Sequence, residues 1–239
     1  MFVISLFVEK EPLEGGNKAY ERESIKWSLT ISMRRDIMLQ QWLGNQLKHP
    51  KGPLSKWVGM YMKKGNDEIN LWTIDLLDLS INEVLLEVGI GNGSTLNRIV
   101  SNKKIRKIYG LDLSEDMIKE AEKLNKEFIE AGMIELQKGD IISLPYREST
   151  FDKVFSVHTI YFWTDINQGL SEIHRVLKSG GKLFLSITDK SRMERMKRTK
   201  KFHLIHIEEI EKLLSTHMFQ TIKLHQKGMH WCIEATKQS

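Results

Sequence analysis

The stretch Val84-Leu-Leu-Glu-Val-Gly-Ile-Gly-Asn-Gly93 decides the fold. An apolar run of strand character carries one acid, Glu87, and passes directly into three glycines at alternate positions, Gly89, Gly91 and Gly93. A helical pattern follows over 94–100. Strand, glycine turn and helix in that order describe the first unit of an open α/β sheet, where ligands bind at the carboxyl ends of the strands. Glycines let the backbone of such a turn approach a ligand closely.

Outward from this unit, β-rich apolar runs at 107–111, 134–138, 153–158 and 182–188 alternate with helical patterns. That alternation is the signature of βαβ units and a parallel sheet. Over 114–131, Ser114 is a cap, Glu115 and Asp116 suit the first turn, and Ile118, Ala121, Leu124 and Phe128 recur on one face. The spacing predicts one amphipathic helix packed on the sheet. Another helix is expected around 207–216, then two strands near 221–225 and 231–236 joined by a short turn at Gly228. Strands joined so tightly pair antiparallel, so the sheet is expected to end in a reversed hairpin. Ahead of the sheet, 70–79 reads as an amphipathic helix. Residues 42–64, with Trp42, Trp57, Met60 and Tyr61 among lysines, read as a helical arm.

Acids stand at three strand ends. Glu87, two residues before the first glycine, points into the site, where it would repel the pyrophosphate of a dinucleotide. The dinucleotide pattern GxGxxG fails as well, because a register starting at Gly89 needs glycine where Ser94 stands. S-adenosylmethionine brings an ammonium and a sulfonium, both cationic, and suits the charge; a structural turn with Glu87 in a salt bridge is the competing reading. Asp112 ends the second strand, placed either to accept from two ribose hydroxyls or to stand beside Ser114 at a helix start. Asp140 can accept from an adenine amine while Ile141 touches the ring.

Together, Leu85-Leu-Glu-Val-Gly-Ile-Gly-Asn-Gly93, Gly110-Leu-Asp112, Gly139-Asp-Ile141, Leu144-Pro145, Phe151-Asp152 and Arg175-Val-Leu-Lys-Ser-Gly-Gly181 resemble the successive motifs of class I S-adenosylmethionine-dependent methyltransferases. The resemblance covers roughly residues 70–236 and is nearest to the branch that includes ubiquinone and menaquinone C-methyltransferases and many small-molecule enzymes. It implies a Rossmann-like, doubly wound seven-stranded sheet in the order 3-2-1-4-5-7-6 with strand 7 antiparallel. It also implies cofactor contacts from Glu87, Gly89 and Gly91 at the methionine portion, Asp112 at the ribose, Met117 beside the adenine, and Asp140 with Ile141 at the adenine edge, with Gly93 also expected among the cofactor-binding residues. Position 158, often Asn in similar sequences, is His158 here, and the arm lacks the signature segments of the quinone enzymes.

The acceptor side is expected after the fourth strand, in Val157-His-Thr-Ile-Tyr-Phe-Trp163. His158 has the pKa range of a general base, and the alternative is a histidine bonded to a neighbouring loop. Tyr161, Phe162 and Trp163 either box a cationic group by cation–π contact or form core. Methyl transfer from a sulfonium is an in-line displacement that rests on alignment and desolvation, so no metal is expected.

Of the 239 residues, 41% are apolar and 28% charged, an ordinary globular composition. The net charge of +5 is spread along the chain except at 190–201, which gathers Lys190, Arg192, Arg195, Lys197, Arg198, Lys200 and Lys201. That segment is a solvated surface loop, which the resemblance places over the substrate cleft, or a nucleic-acid clamp. The lysine and aromatic arm at 48–64 offers a second route to RNA or to a lipid surface. The leading expectation is methyl transfer to a small-molecule acceptor; RNA or lipid methylation is the alternative, and an NAD-dependent oxidoreductase the more distant one. The apolar run 1–8 is far short of the roughly 18 residues of a membrane span, and no basic region precedes it. Residues 1–32 are expected to be a loosely attached extension, with Met33 an alternative start, 33–69 a helical arm or substrate cap, and 70–239 the cofactor-binding domain. One cysteine, Cys232, cannot form an internal disulfide, so a cytoplasmic setting is the default.

Overall fold

The computed structural model describes residues 67–102, 105–196, 199 and 202–238. β1 (Val84–Val88), β4 (Phe151–Val157) and β5 (Leu177–Thr188) carry long buried runs. They occupy the middle of the sheet, because only strands covered on both faces can bury such runs. β2 (Lys107–Asp112) and β3 (Ile134–Lys138) extend the sheet on one side, β7 (His230–Lys237) and β6 (Phe219–Lys227) on the other. The order is β3-β2-β1-β4-β5-β7-β6. β7 runs antiparallel to β5 and β6, and the other pairs are parallel. The expected topology, including the terminal hairpin, is the one observed.

Successive strand residues face opposite ways, so β1 feeds two apolar layers. Leu85 belongs to the layer of Leu77, Leu96, Ile99, Ile118 and Phe155, whereas Leu86 belongs to that of Val154, Ile173, Ile210 and Leu214. The first layer takes its helical side chains from α1 (residues 67–76), α2 (Ser94–Asn102) and α3 (Glu115–Leu124), the second from α5 (Ile166–Val176) and α7 (Ile207–Thr216). α4 (Lys126–Glu130) and α6 (Lys190–Glu194) are single short turns. α1 is tied to the sheet by Thr73, whose Oγ1 lies 2.6 Å from Ser186 Oγ. Cys232 is buried in β7.

The helix expected over 114–131 is two helices. Asn125 breaks it at φ −110°, ψ 17°, because its fully buried amide is recruited into a tertiary bond, Nδ2 donating to Gly93 O (3.1 Å) as well as to Ala121 O one turn earlier in its own helix (2.9 Å). The break turns Leu124, expected on the apolar face, to 47% exposure. β4 and β5 begin earlier than expected, since Phe151 pairs with Leu177 before the register shifts and Lys153 pairs with Lys182. β4 also ends at Val157, leaving His158 just outside it. Among the described residues no helix is long and apolar enough to cross a membrane. The expectations for 1–32, for the arm up to residue 66, and for Lys197, Arg198, Lys200 and Lys201 lie outside the described residues.

Candidate cofactor and acceptor site

A cavity opens at the carboxyl ends of β1 to β4, where a parallel sheet presents its ligand-binding edge. Glu87, Gly89, Gly91, Asp112, Met117, Asp140 and Ile141 all line it. Glu87 and Gly110 are register partners in adjacent strands, and Asp112 follows two residues later. The two acids therefore reach one space from neighbouring strands.

Glu87 is 3% exposed. Thr95 bonds its carboxyl, yet Oε2 is buried without a hydrogen-bond partner among the described residues. Desolvation pushes its pKa well above the carboxylate range, Thr95 opposes this, and the Asp112 charge adds to it. An orphaned acid of this kind is the chemistry of a site for an ammonium, which would satisfy the oxygen and restore its charge. Asp112 accepts from Gly91 N at Oδ2 (2.9 Å) and from Ser114 N at Oδ1 (2.8 Å). An ionised carboxylate has about four lone-pair sites, so each oxygen keeps capacity for a hydroxyl. Burial pushes Asp112 up to about 6 against the lowering effect of those N–H groups.

The three glycines divide the work. Gly91, at φ 54°, has nothing within 4 Å of an added Cβ, so it borders open space. At Gly89, φ 80°, a Cβ would lie 2.2 Å from Thr159 Cγ2. Gly93 does not line the cavity; a Cβ there would stand 2.7 Å from both Ala121 Cβ and Asn125 Nδ2. Its missing side chain serves the packing of α2 against α3.

Toward β4 the wall becomes uncharged: Asn70, His158, Thr159, Phe162, Trp163 and Thr164. Trp163 Nε1 donates to Thr159 Oγ1 (3.1 Å), which also bonds Ser156 Oγ, and Ser156 donates to Val88 O (2.8 Å). This chain fixes the indole relative to the glycine turn. His158 sits at φ 59°. Burial, helped by His230, pushes its pKa down to about 3. Tyr161 is not brought to the cavity. Its buried hydroxyl donates to Thr188 O (3.0 Å) and accepts from Thr188 N (2.8 Å), so the phenol closes the first turn after β4 onto β5. Asn70, Thr95 and Thr159 escaped the sequence reading, since short polar residues in helices and turns carry no pattern; the glycine at 89 was the one available hint that something crowds it.

A family model described as a methyltransferase domain matches residues 86–185. The chain is 32% identical over 130 residues to the uncharacterized methyltransferase YdaC of Bacillus subtilis (strain 168), covering 54% of this chain and 70% of that protein. It is 30% identical over 152 residues to a demethylmenaquinone methyltransferase of Bacteroides fragilis, covering 60% and 62% respectively. In fold it matches phosphoethanolamine N-methyltransferase 2 of Haemonchus contortus, solved in complex with S-adenosyl-L-methionine, with a TM-score of 0.62 at 18% identity over 72% of this chain and 53% of that one. The chain belongs to the class I S-adenosylmethionine-dependent methyltransferases. Its cofactor is S-adenosylmethionine, which removes the NAD-dependent alternative.

Proposed function

We propose that this enzyme methylates an uncharged small molecule, and that the residues of its cavity divide into a cofactor half and an acceptor half. The observation that carries this reading is the change of wall chemistry along one cavity: Glu87, Asp112 and Asp140 border one end, and no charged side chain borders the β4 end among the described residues. In the cofactor half, Glu87 takes the ammonium, the Gly89–Gly91 turn admits the methionine portion, Asp112 takes the ribose hydroxyls, and Met117, Asp140 and Ile141 hold the adenine. S-adenosylmethionine supplies a methyl group already activated on a sulfonium. The chain's own residues align the acceptor and exclude water, which is where the rate gain of such a displacement arises. Phe162 and Trp163 provide flat apolar walls, and Asn70, Thr159 and Thr164 provide polar points along them.

A phosphate-bearing acceptor would need cations at this end, and none of the described lining residues is one. The relative named as a demethylmenaquinone methyltransferase supports a neutral, planar acceptor. A labelled-methyl transfer screen across phenols, quinols, small amines, lipids and RNA tests the reading. Incorporation confined to neutral small molecules is expected, and incorporation into RNA or phospholipid alone overturns it.

A further inference from the structure

His158 is costly to hold where it is. Its backbone is in the left-handed region, at φ 59°, which strains any residue with a Cβ. Its ring stacks beside Tyr161 (centroids 6.3 Å apart, 25° between planes). Its Nδ1 is buried with no hydrogen-bond partner among the described residues, although the residue borders the cavity. The depressed pKa keeps the imidazole neutral at physiological pH, with one N–H and one bare nitrogen.

The neighbours select which nitrogen is bare. His158 Nε2 is 3.5 Å from Thr188 Oγ1, and Thr188 Oγ1 is 3.0 Å from His230 Nδ1. The single Thr188 hydroxyl proton can serve one of the two rings. If it went to His158, the orphaned Nδ1 would be a buried N–H with no acceptor, a rarer and costlier state than an unused lone pair. The bonds therefore run outward, His158 Nε2–H to Thr188 and Thr188 O–H to His230, and His158 Nδ1 presents a bare lone pair.

We propose that His158, Thr188 and His230 form a proton-exit relay that serves a methyl acceptor carrying an O–H or N–H group. The proposal rests on reading the β4 end of the cavity as the acceptor's place. As the acceptor's electron pair forms its bond to the methyl carbon, its O–H or N–H bond breaks and the proton joins His158 Nδ1. The Nε2 proton passes to Thr188 Oγ1, the Thr188 proton passes to His230 Nδ1, and half-buried His230 releases one from Nε2 to water. After the product leaves, His158 Nδ1–H gives its proton to water in the cavity while His230 takes one up at Nε2 and the protons between them step back, which restores the starting tautomers with no oxidant or further reactant. A low pKa at His158 suits a relay, because the imidazolium does not trap the proton. Burial, Arg192 and Lys227 also hold His230 below the usual histidine value, against an opposing pull from Glu68. The Tyr161 hydroxyl, bonded to the Thr188 backbone, fixes the middle of the chain.

The test is imidazole nitrogen-15 spectroscopy on the full chain saturated with S-adenosylhomocysteine, with the His158 signal assigned through His158→Asn, a residue that tolerates the left-handed backbone. The expected result is the Nε2–H form, without titration between pH 8 and pH 5. Thr188→Val should release that tautomer preference and Thr188→Ser should keep it. Hydroquinone should shift the bare Nδ1 signal, and 1,4-dimethoxybenzene, which has no O–H, should not. An Nδ1–H form, a preference unchanged in Thr188→Val, or no response to hydroquinone overturns the relay. Calorimetry with S-adenosylhomocysteine separates the two layers: affinity within threefold of wild type is expected in all three variants, and failure of the wild type to bind would remove the reading of the cavity itself.

Discussion

Two carboxyls, Glu87 and Asp112, are held in one cavity at a desolvation cost, which the cationic, hydroxylated ligand of the proposed reading would offset. For Asp112, raised to about 6 by burial, the sign follows from which form binds. Ribose hydroxyls need the ionised acceptor, so S-adenosylhomocysteine affinity should rise as pH increases through about 6 and level off above, by up to tenfold per unit below it. In the free protein the same raised pKa acts the other way: Asp112 contributes stability below its unfolded value and loses it as pH rises through about 6. Calorimetry between pH 5 and 8 checks the first effect, and a pH-independent Kd would remove Asp112 from the ribose. Asp112→Ala should cost about 2 kcal/mol of cofactor binding, since a charged hydrogen-bond acceptor is lost. The glycines allow a contrast within one turn. Gly89→Ala drives a methyl into Thr159 and should cost about 3 kcal/mol of stability, whereas Gly91→Ala should cost about 1 kcal/mol of stability and mainly weaken the cofactor, since its methyl enters the cavity. Thermal melts with and without S-adenosylhomocysteine distinguish them, and equal effects would show that the turn is not divided in this way.

At the scale of elements, β1, β3 and α7 fall where the sequence places them, whereas β4 and β5 begin earlier and the helix over 114–131 divides in two. β1 is found as a continuous apolar run and β3 through its β-branched start, because each fills one register of a sheet whose neighbours share its chemistry. The 114–131 helix failed because a period of 3.6 describes one straight cylinder, and Asn125 left that cylinder to bond Gly93 across α2 and α3. Polar residues inside an amphipathic pattern are where this failure is to be expected. Asn125→Ala should destabilise the chain by about 1–2 kcal/mol, since a buried amide loses two donated bonds while each carbonyl keeps a backbone partner. Urea unfolding measures it, and a neutral result would mean that the α3–α4 break is set by the backbone alone.

For the whole molecule, the surplus charge of +5 poses the question of a polyanionic substrate. The basic segment begins with α6 directly after β5, where Arg192 and Arg195 are exposed. A clamp on single-stranded RNA loses affinity with a logarithmic slope of about −0.7 per phosphate contacted, whereas a cover over a neutral acceptor responds weakly to salt. Replacing Arg195, Lys197 and Arg198 together with Gln should change turnover of a small acceptor without creating or abolishing RNA retention at roughly 150 mM salt. Retention by the wild type that the triple variant loses would replace the small-molecule reading with a nucleic-acid one.

The sequence by itself determined a parallel sheet ending in a reversed hairpin, through alternating strand and helix patterns and two strands joined by a short turn, and the cofactor class, through Glu87, whose charge a pyrophosphate would oppose; the full strand order was implied by the resemblance of its motifs to those of class I methyltransferases. These are local: each is written in a few consecutive residues whose neighbours in space are dictated by the strand period. Tertiary structure alone decided that Gly93 serves helix packing, that Tyr161 braces β5 outside the cavity, and that His158, Thr188 and His230 meet. Those three stand on β4's end, β5 and β7, far apart in sequence. Their proximity depends on the antiparallel register that sets Thr188 opposite His230, and a single chain's periodicity carries no trace of which residues a register will place side by side.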